Sequence, residues 1–103
     1  MEINIDGKTY QLAINNYFGP LYQYQVSTGE TINFNESTTA VIKFIHGALL
    51  LNNDDYTMTM KELLRDITDE DMKNAITYAN ERLLKFFATE TESEGEEKEK
   101  GEE

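Results

Sequence analysis

The densest apolar pattern in the chain lies over residues 37–53, STTAVIKFIHGALLLNN, where nine apolar residues fall between Ala40 and Leu51. One narrow polar stripe interrupts them, with Thr39, Lys43, His46 and Gly47 recurring at helical spacing. A helix apolar around most of its circumference must be covered by other elements, so this stretch predicts a central helix around which the chain wraps. Its apolar part is too short to cross a bilayer, which needs about 20 residues, and the reading is a core helix. Ser37 or Thr38 is the expected cap, and Asn52-Asn53-Asp54-Asp55 is a polar, turn-rich stop.

Ahead of it, Ile3-Asn4-Ile5 and Thr9-Tyr10-Gln11-Leu12 alternate in polarity around Asp6-Gly7. That dipeptide suits a type I′ turn, in which both central residues take positive φ, and it predicts a hairpin over residues 2–14. Two strands alone are marginal in water, so the hairpin should lie on the central helix. Residues 15–29, NNYFGPLYQYQVSTG, fit two patterns. Tyr22, Tyr24 and Val26 alternate with Gln23 and Gln25, as in a strand. Phe18, Leu21, Tyr22 and Gln25 also fall on one helical face, with Pro20 at the first position of a helix capped near Gly19 and Gly29 as its left-handed stop. The segment is read as a helix, with the strand open as the alternative. Residues 31–34 form an extended connector that Ile32 and Phe34 pin to the core.

After the central helix, Thr59-Met60-Lys61-Glu62 is a capping-box pattern opening a short helix that ends near Ile67. Thr68-Asp69-Glu70-Asp71 opens the last helix in the same way, with three acids placed favourably for the helix dipole. Met72, Ala75, Ile76, Ala79, Leu83, Phe86 and Phe87 make its apolar stripe, which runs to about Ala88. Beyond it, glutamates mixed with Ser, Gly and Lys bury too little apolar area to order themselves. The expected fold is therefore α+β, mainly α. An N-terminal β-hairpin packs on a small bundle of three to four helices within a globular unit (residues 1–88), followed by a disordered acidic tail (residues 89–103).

Composition narrows the function. A chain of 103 residues has room for one domain, whose core buries roughly 60% of the unfolded surface. Without cysteine there is neither a disulfide framework nor a thiolate metal site. The opening MEINIDGK lacks the basic and apolar blocks of a signal peptide, so the Asn35-Glu36-Ser37 sequon is read as silent and the protein as intracellular and soluble. The net charge is −11, and residues 90–103 hold eight glutamates against Lys98 and Lys100. The rest of the chain carries twelve acids and seven bases, so both parts repel phosphate backbones and anionic membranes. An acidic DNA mimic is the opposite reading of the same charge. More than half of that charge lies in the tail, where no ordered phosphate-like spacing is expected.

His46 is the only histidine and has no second histidine or cysteine to act with, so it is read as a surface or otherwise satisfied side chain. Neither Asp54-Asp55 nor Asp69-Glu70-Asp71 is followed by a calcium-loop pattern. No phosphate loop or nucleophile motif is present, and the expectation is a non-enzyme without cofactor or metal. The cluster Tyr17, Phe18, Tyr22 and Tyr24 has two readings, because tyrosine suits protein interfaces and rings also complete small cores. Leu50 falls in line with the polar stripe, either covered by residues 53–57 or exposed for a partner. Phe86 and Phe87 are adjacent, so only one can face the core. These seven residues are the candidates for a partner-binding surface. The acidic end either keeps a sticky protein soluble or regulates access to that surface.

In this order of elements the chain resembles the tail assembly chaperones of long-tailed (siphovirus-type) bacteriophages. INIDGKTYQLAI is similar to the family's opening hairpin, and NYFGPLYQYQVSTGETINF to its first helix and the turn before an aromatic pair. STTAVIKFIHGALLLNNDDYTMTMKELLRDI is similar to its core helix, loop and short capped helix, and TDEDMKNAITYANERLLKFF to its closing helix. The likeness covers residues 1–88, with Pro20 a departure in the first helix. It implies a protein that binds the long, apolar, helical tape-measure protein in the host cytoplasm. The tape-measure chain is kept soluble until tail-tube subunits assemble around it, and the chaperone is absent from the finished virion. It further implies self-association, contact with the tail-tube protein and, in many members, a longer frameshifted product. The competing implication is a structural tail or connector subunit retained in the particle.

Overall fold

The computed structural model describes the backbone of residues 1–98 and the side chains of residues 1–87. Strands β1 (Glu2–Ile5) and β2 (Lys8–Gln11) form an antiparallel hairpin, followed by α1 (Phe18–Thr28), a 3-10 turn (Phe34–Glu36), α2 (Thr38–Asn52), α3 (Met60–Asp66) and α4 (Asp69–Lys98). This is the expected α+β, mainly α architecture. Asp6 and Gly7 turn the hairpin with φ of 53° and 83°, and Asn4 Oδ1 accepts the Gly7 N–H at 3.2 Å. The ladder continues past the strands, where Leu12 N–H donates to the Met1 carbonyl at 2.7 Å and the terminal ammonium to the Leu12 carbonyl at 3.0 Å.

Alternation puts Ile3, Ile5 and Tyr10 on one face of the hairpin, and Leu12 and Ile14 continue that apolar surface. The surface packs on α2 and also on α4. Phe44, Ile45, Ala48 and Leu49 of α2 form the centre of the core, and Ala75, Ala79 and Leu83 of α4 close it. Side chains replace backbone partners where the chain leaves the sheet. The Tyr78 hydroxyl accepts the Ile14 N–H at 3.1 Å and Arg82 Nε donates to the Ile14 carbonyl at 2.8 Å. Asn53 pairs with both backbone groups of Gln11, each at 2.9 Å, in the manner of a further strand residue. Asn52 Nδ2 bridges the carbonyls of Ala13 (2.8 Å) and Ala48 (2.6 Å). The asparagines that read as a helix stop thus also fasten the hairpin to α2.

Several expectations need correction. Residues 18–28 form the expected helix and not the strand alternative, but it begins at Phe18, ahead of the expected cap near Gly19, with Pro20 inside its first turn, where a missing N–H costs no helical bond. Gly19 N–H is taken up by Asn16 Oδ1 at 2.7 Å. Gly29, at φ 80°, ends the helix as expected by donating to the Gln25 carbonyl at 2.8 Å. The buried face of α1 is Pro20 and Tyr24, while Phe18 and Tyr22, which share a helical face with Leu21 in the sequence pattern, point outward.

The polar stripe of α2 faces solvent at Thr39 but not in its second half. His46 and Gly47 are buried beneath α1: a Cβ at Gly47 would overlap the Pro20 carbonyl oxygen and press on Tyr24 Cβ at 3.1 Å. The missing side chain is what lets α1 approach. Ser37 occupies the cap position of α2 at φ 55° but makes no side-chain cap bond. The Thr59–Glu62 capping box forms as expected, with bonds of 3.1 and 2.8 Å, and Thr68 Oγ1 accepts the Asp71 N–H at 3.1 Å. Helix α4 continues past the expected end at Ala88 as far as Lys98. The expected disordered tail, 89–103, falls on residues whose side chains, and from 99 onward whose backbone, lie outside the described residues.

Candidate protein-binding surface

The aromatic residues meet at Tyr17, the last residue before α1. Its ring centroid lies 5.3 Å from Phe18, 5.5 Å from Phe87, 5.9 Å from Phe34 and 6.1 Å from Phe44. Phe44 is fully buried, so Tyr17 anchors an exposed aromatic group on the core. Behind it a cleft of about 310 Å³ opens between the start of α2 and α4, lined by Phe34, Val41, Ile76, Leu83, Leu84 and Phe87 among others. Leu84 is 68% exposed on its rim.

Phe18 leads the surface onto α1, where Phe18, Tyr22 and Val26 recur every four residues along the outer face for about 12 Å of helix. Phe18 is 74% exposed and Tyr22 67% exposed, too much for single rings that complete a core. Leu51, also exposed, sits against Gly19 at the base of this stripe. Exposed apolar residues are ordinary when scattered, and here they adjoin one another beside a cleft.

Of the seven sequence candidates, the structure brings Tyr17, Phe18 and Phe87 into ring contact and aligns Tyr22 with Phe18. Tyr24 is not on the surface. It is 3% exposed, its ring meets His46 at 6.0 Å, and its hydroxyl donates to Glu30 Oε1 at 3.1 Å. Leu50 is half-buried against the core and lines a separate cavity of about 430 Å³ with His46, Tyr56 and Met58. Phe86 is the member of its pair that packs on the core. Sequence reading missed Val26, Leu51 and Leu84. The first and last stand four residues after Tyr22 and three before Phe87, so extending the stripes would have found them.

Electrostatics separate structural groups from the surface. Lys43, at the edge of α2, pairs with Glu36 at 3.6 Å and Glu30 at 3.9 Å. His46 Nδ1 lies 2.8 Å from Tyr56 Oη, so it is the satisfied histidine of the two readings and not a surface one. Burial lowers the imidazole pKa to about 4. Burial also raises that of the Tyr56 phenol, with the Tyr10 and Glu62 charges adding to the effect, and both groups are neutral at pH 7. Among the described residues no three His, Asp or Glu side chains converge to hold a metal ion, and no helix is long and apolar enough to cross a membrane. The chemistry this arrangement offers is apolar contact with another chain. Comparison of the chain with protein-family models, curated proteins and solved structures finds no match.

Proposed function

We propose that the protein is a non-enzymatic tail assembly chaperone that binds the tape-measure protein and keeps it soluble during tail assembly. The observation that carries this reading is the Phe18–Tyr22 face, joined through Tyr17 to the core and exposed beside the Leu84 cleft. A long apolar helix in solution aggregates unless its apolar face is masked, and a shallow aromatic groove beside a helix can mask it. The net charge of −11 favours solubility of the resulting complex. The reading places the protein in the host cytoplasm, self-associating, without cofactor, with the tail-tube protein as second partner, and absent from the finished virion.

Co-expression with the tape-measure protein tests it. Soluble recovery of the long chain should require this protein. It should fall with Phe18→Ser/Tyr22→Ser, whose own stability should change by no more than about 0.5 kcal/mol because both side chains face solvent. A tape-measure chain equally insoluble with and without the protein would overturn the reading. Finding the protein in purified virions by mass spectrometry would favour the connector alternative.

A further inference from the structure

The cavity of about 430 Å³ between the end of α1, the middle of α2 and residues 56–60 shares no lining residue with the Leu84 cleft. His46 and Tyr56 line it and are 1% and 2% exposed. Leu50, Met58 and Met60 line it half-buried, and the exposed residues Ser27 and Thr57 stand at its rim. Nδ1 of His46 is bonded to Tyr56 Oη at 2.8 Å, whereas Nε2 bonds to no group among the described residues. A buried polar atom without a partner is costly, so the cavity favours an occupant that supplies one. No charged side chain lines the cavity, and a charged ligand would be desolvated there without compensation.

We infer that this cavity binds a neutral phenol, its aromatic ring between Leu50, Met58 and Met60 and its hydroxyl on His46 Nε2. A hydroxyl both donates and accepts, so it serves Nε2 in either tautomer of the imidazole. Thioethers pack favourably on aromatic rings, and two of the three apolar walls are methionines. The volume exceeds the roughly 150 Å³ that accommodates benzene in a protein core and falls within the roughly 300–1,000 Å³ of small-molecule sites. The same chemistry is available from a free phenol and from a tyrosine side chain of another polypeptide. The site does not depend on the chaperone reading, which concerns the aromatic surface.

The test titrates the full chain at pH 7 with p-cresol, toluene and p-toluate, following the ring protons of His46, the only histidine in the sequence. p-Cresol should shift them and bind roughly tenfold tighter than toluene, the worth of one hydrogen bond to a buried partner, with p-toluate weakest. Leu50→Trp, which fills the cavity from a half-buried position, should abolish binding, and Phe18→Ser/Tyr22→Ser should leave it unchanged. His46→Phe should reduce p-cresol to the affinity of toluene, with helical circular dichroism checking that each variant folds. N-acetyl-tyrosinamide distinguishes the sources: tighter binding than p-cresol supports a tyrosine of a partner chain, and its exclusion with p-cresol still bound supports a free phenol. Equal affinities for p-cresol and toluene, binding that survives Leu50→Trp, or no shift of the His46 ring at the solubility limit of p-cresol would each overturn the inference and leave the chaperone reading untouched.

Discussion

Among the described residues His46 is the one buried polar side chain, at 1% exposure, and its surroundings explain how it is tolerated. Nδ1 is bonded to Tyr56, the Tyr24 ring stands edge-on at 6.0 Å, and Tyr24 in turn holds Glu30. Among the described residues no carboxylate reaches the imidazole directly, and desolvation of the cation lowers the pKa from 6.5 to about 4. A histidine whose folded pKa is lowered binds fewer protons in the native state than in the unfolded state between those values. Stability from this source is complete above pH 6.5 and declines as pH falls toward 4. Urea unfolding should therefore give a free energy about 2 kcal/mol lower at pH 5 than at pH 7. His46→Gln should flatten that dependence in the same window. An unchanged slope in the variant would place the titrating group elsewhere.

At the scale of elements, the docking of α1 on α2 is the packing event that shapes the surface, because it buries Tyr24 and leaves Phe18, Tyr22 and Val26 outside. Gly47 permits it, and two effects compete when it is replaced. Alanine favours the helix by about 1 kcal/mol over glycine. The added methyl must also displace a backbone carbonyl, and overpacking of this kind costs about 1–3 kcal/mol, more where backbone has to move. Gly47→Ala should thus lower stability by about 2 kcal/mol in urea unfolding, with helical circular dichroism retained. A stabilised variant would mean that α1 shifts freely. The same contact explains what the sequence left open. The hairpin and the capping box were legible because Asp6-Gly7 and Thr59–Glu62 act over three or four residues. The phase of α1 depends on Gly47 and Pro20, 27 positions apart in the sequence, and no local pattern carries that information. Placing His46 and Gly47 on one polar stripe with Lys43 hid the contact, since glycine in a helix can mark close approach as well as exposure. For the same reason Tyr17, Phe18, Tyr22 and Phe87 were legible as candidates, while Tyr24, two residues from Tyr22, could not be assigned to the core.

For the whole molecule, an apolar surface and a large net charge act in opposite directions on association. The exposed ion pair Lys8–Asp55 at 3.3 Å and the Arg65–Asp66 pair at 2.8 Å neutralise charges locally and are worth little each. They leave the surplus of acids unbalanced. Two copies approaching through Phe18 and Tyr22 gain apolar burial but bring together chains of −11 each. The range of that repulsion is set by salt, with a screening length of about 30 Å at 0.01 M and about 8 Å at 0.15 M. Self-association should therefore be weak at the lower ionic strength and strengthen as salt is added. Sedimentation velocity across that range should show the weight-average mass rising with NaCl for the native chain and staying flat for Phe18→Ser/Tyr22→Ser. An oligomer already complete at low salt, or one indifferent to those two substitutions, would assign self-association to a different face and leave the aromatic surface free for the partner at every ionic strength.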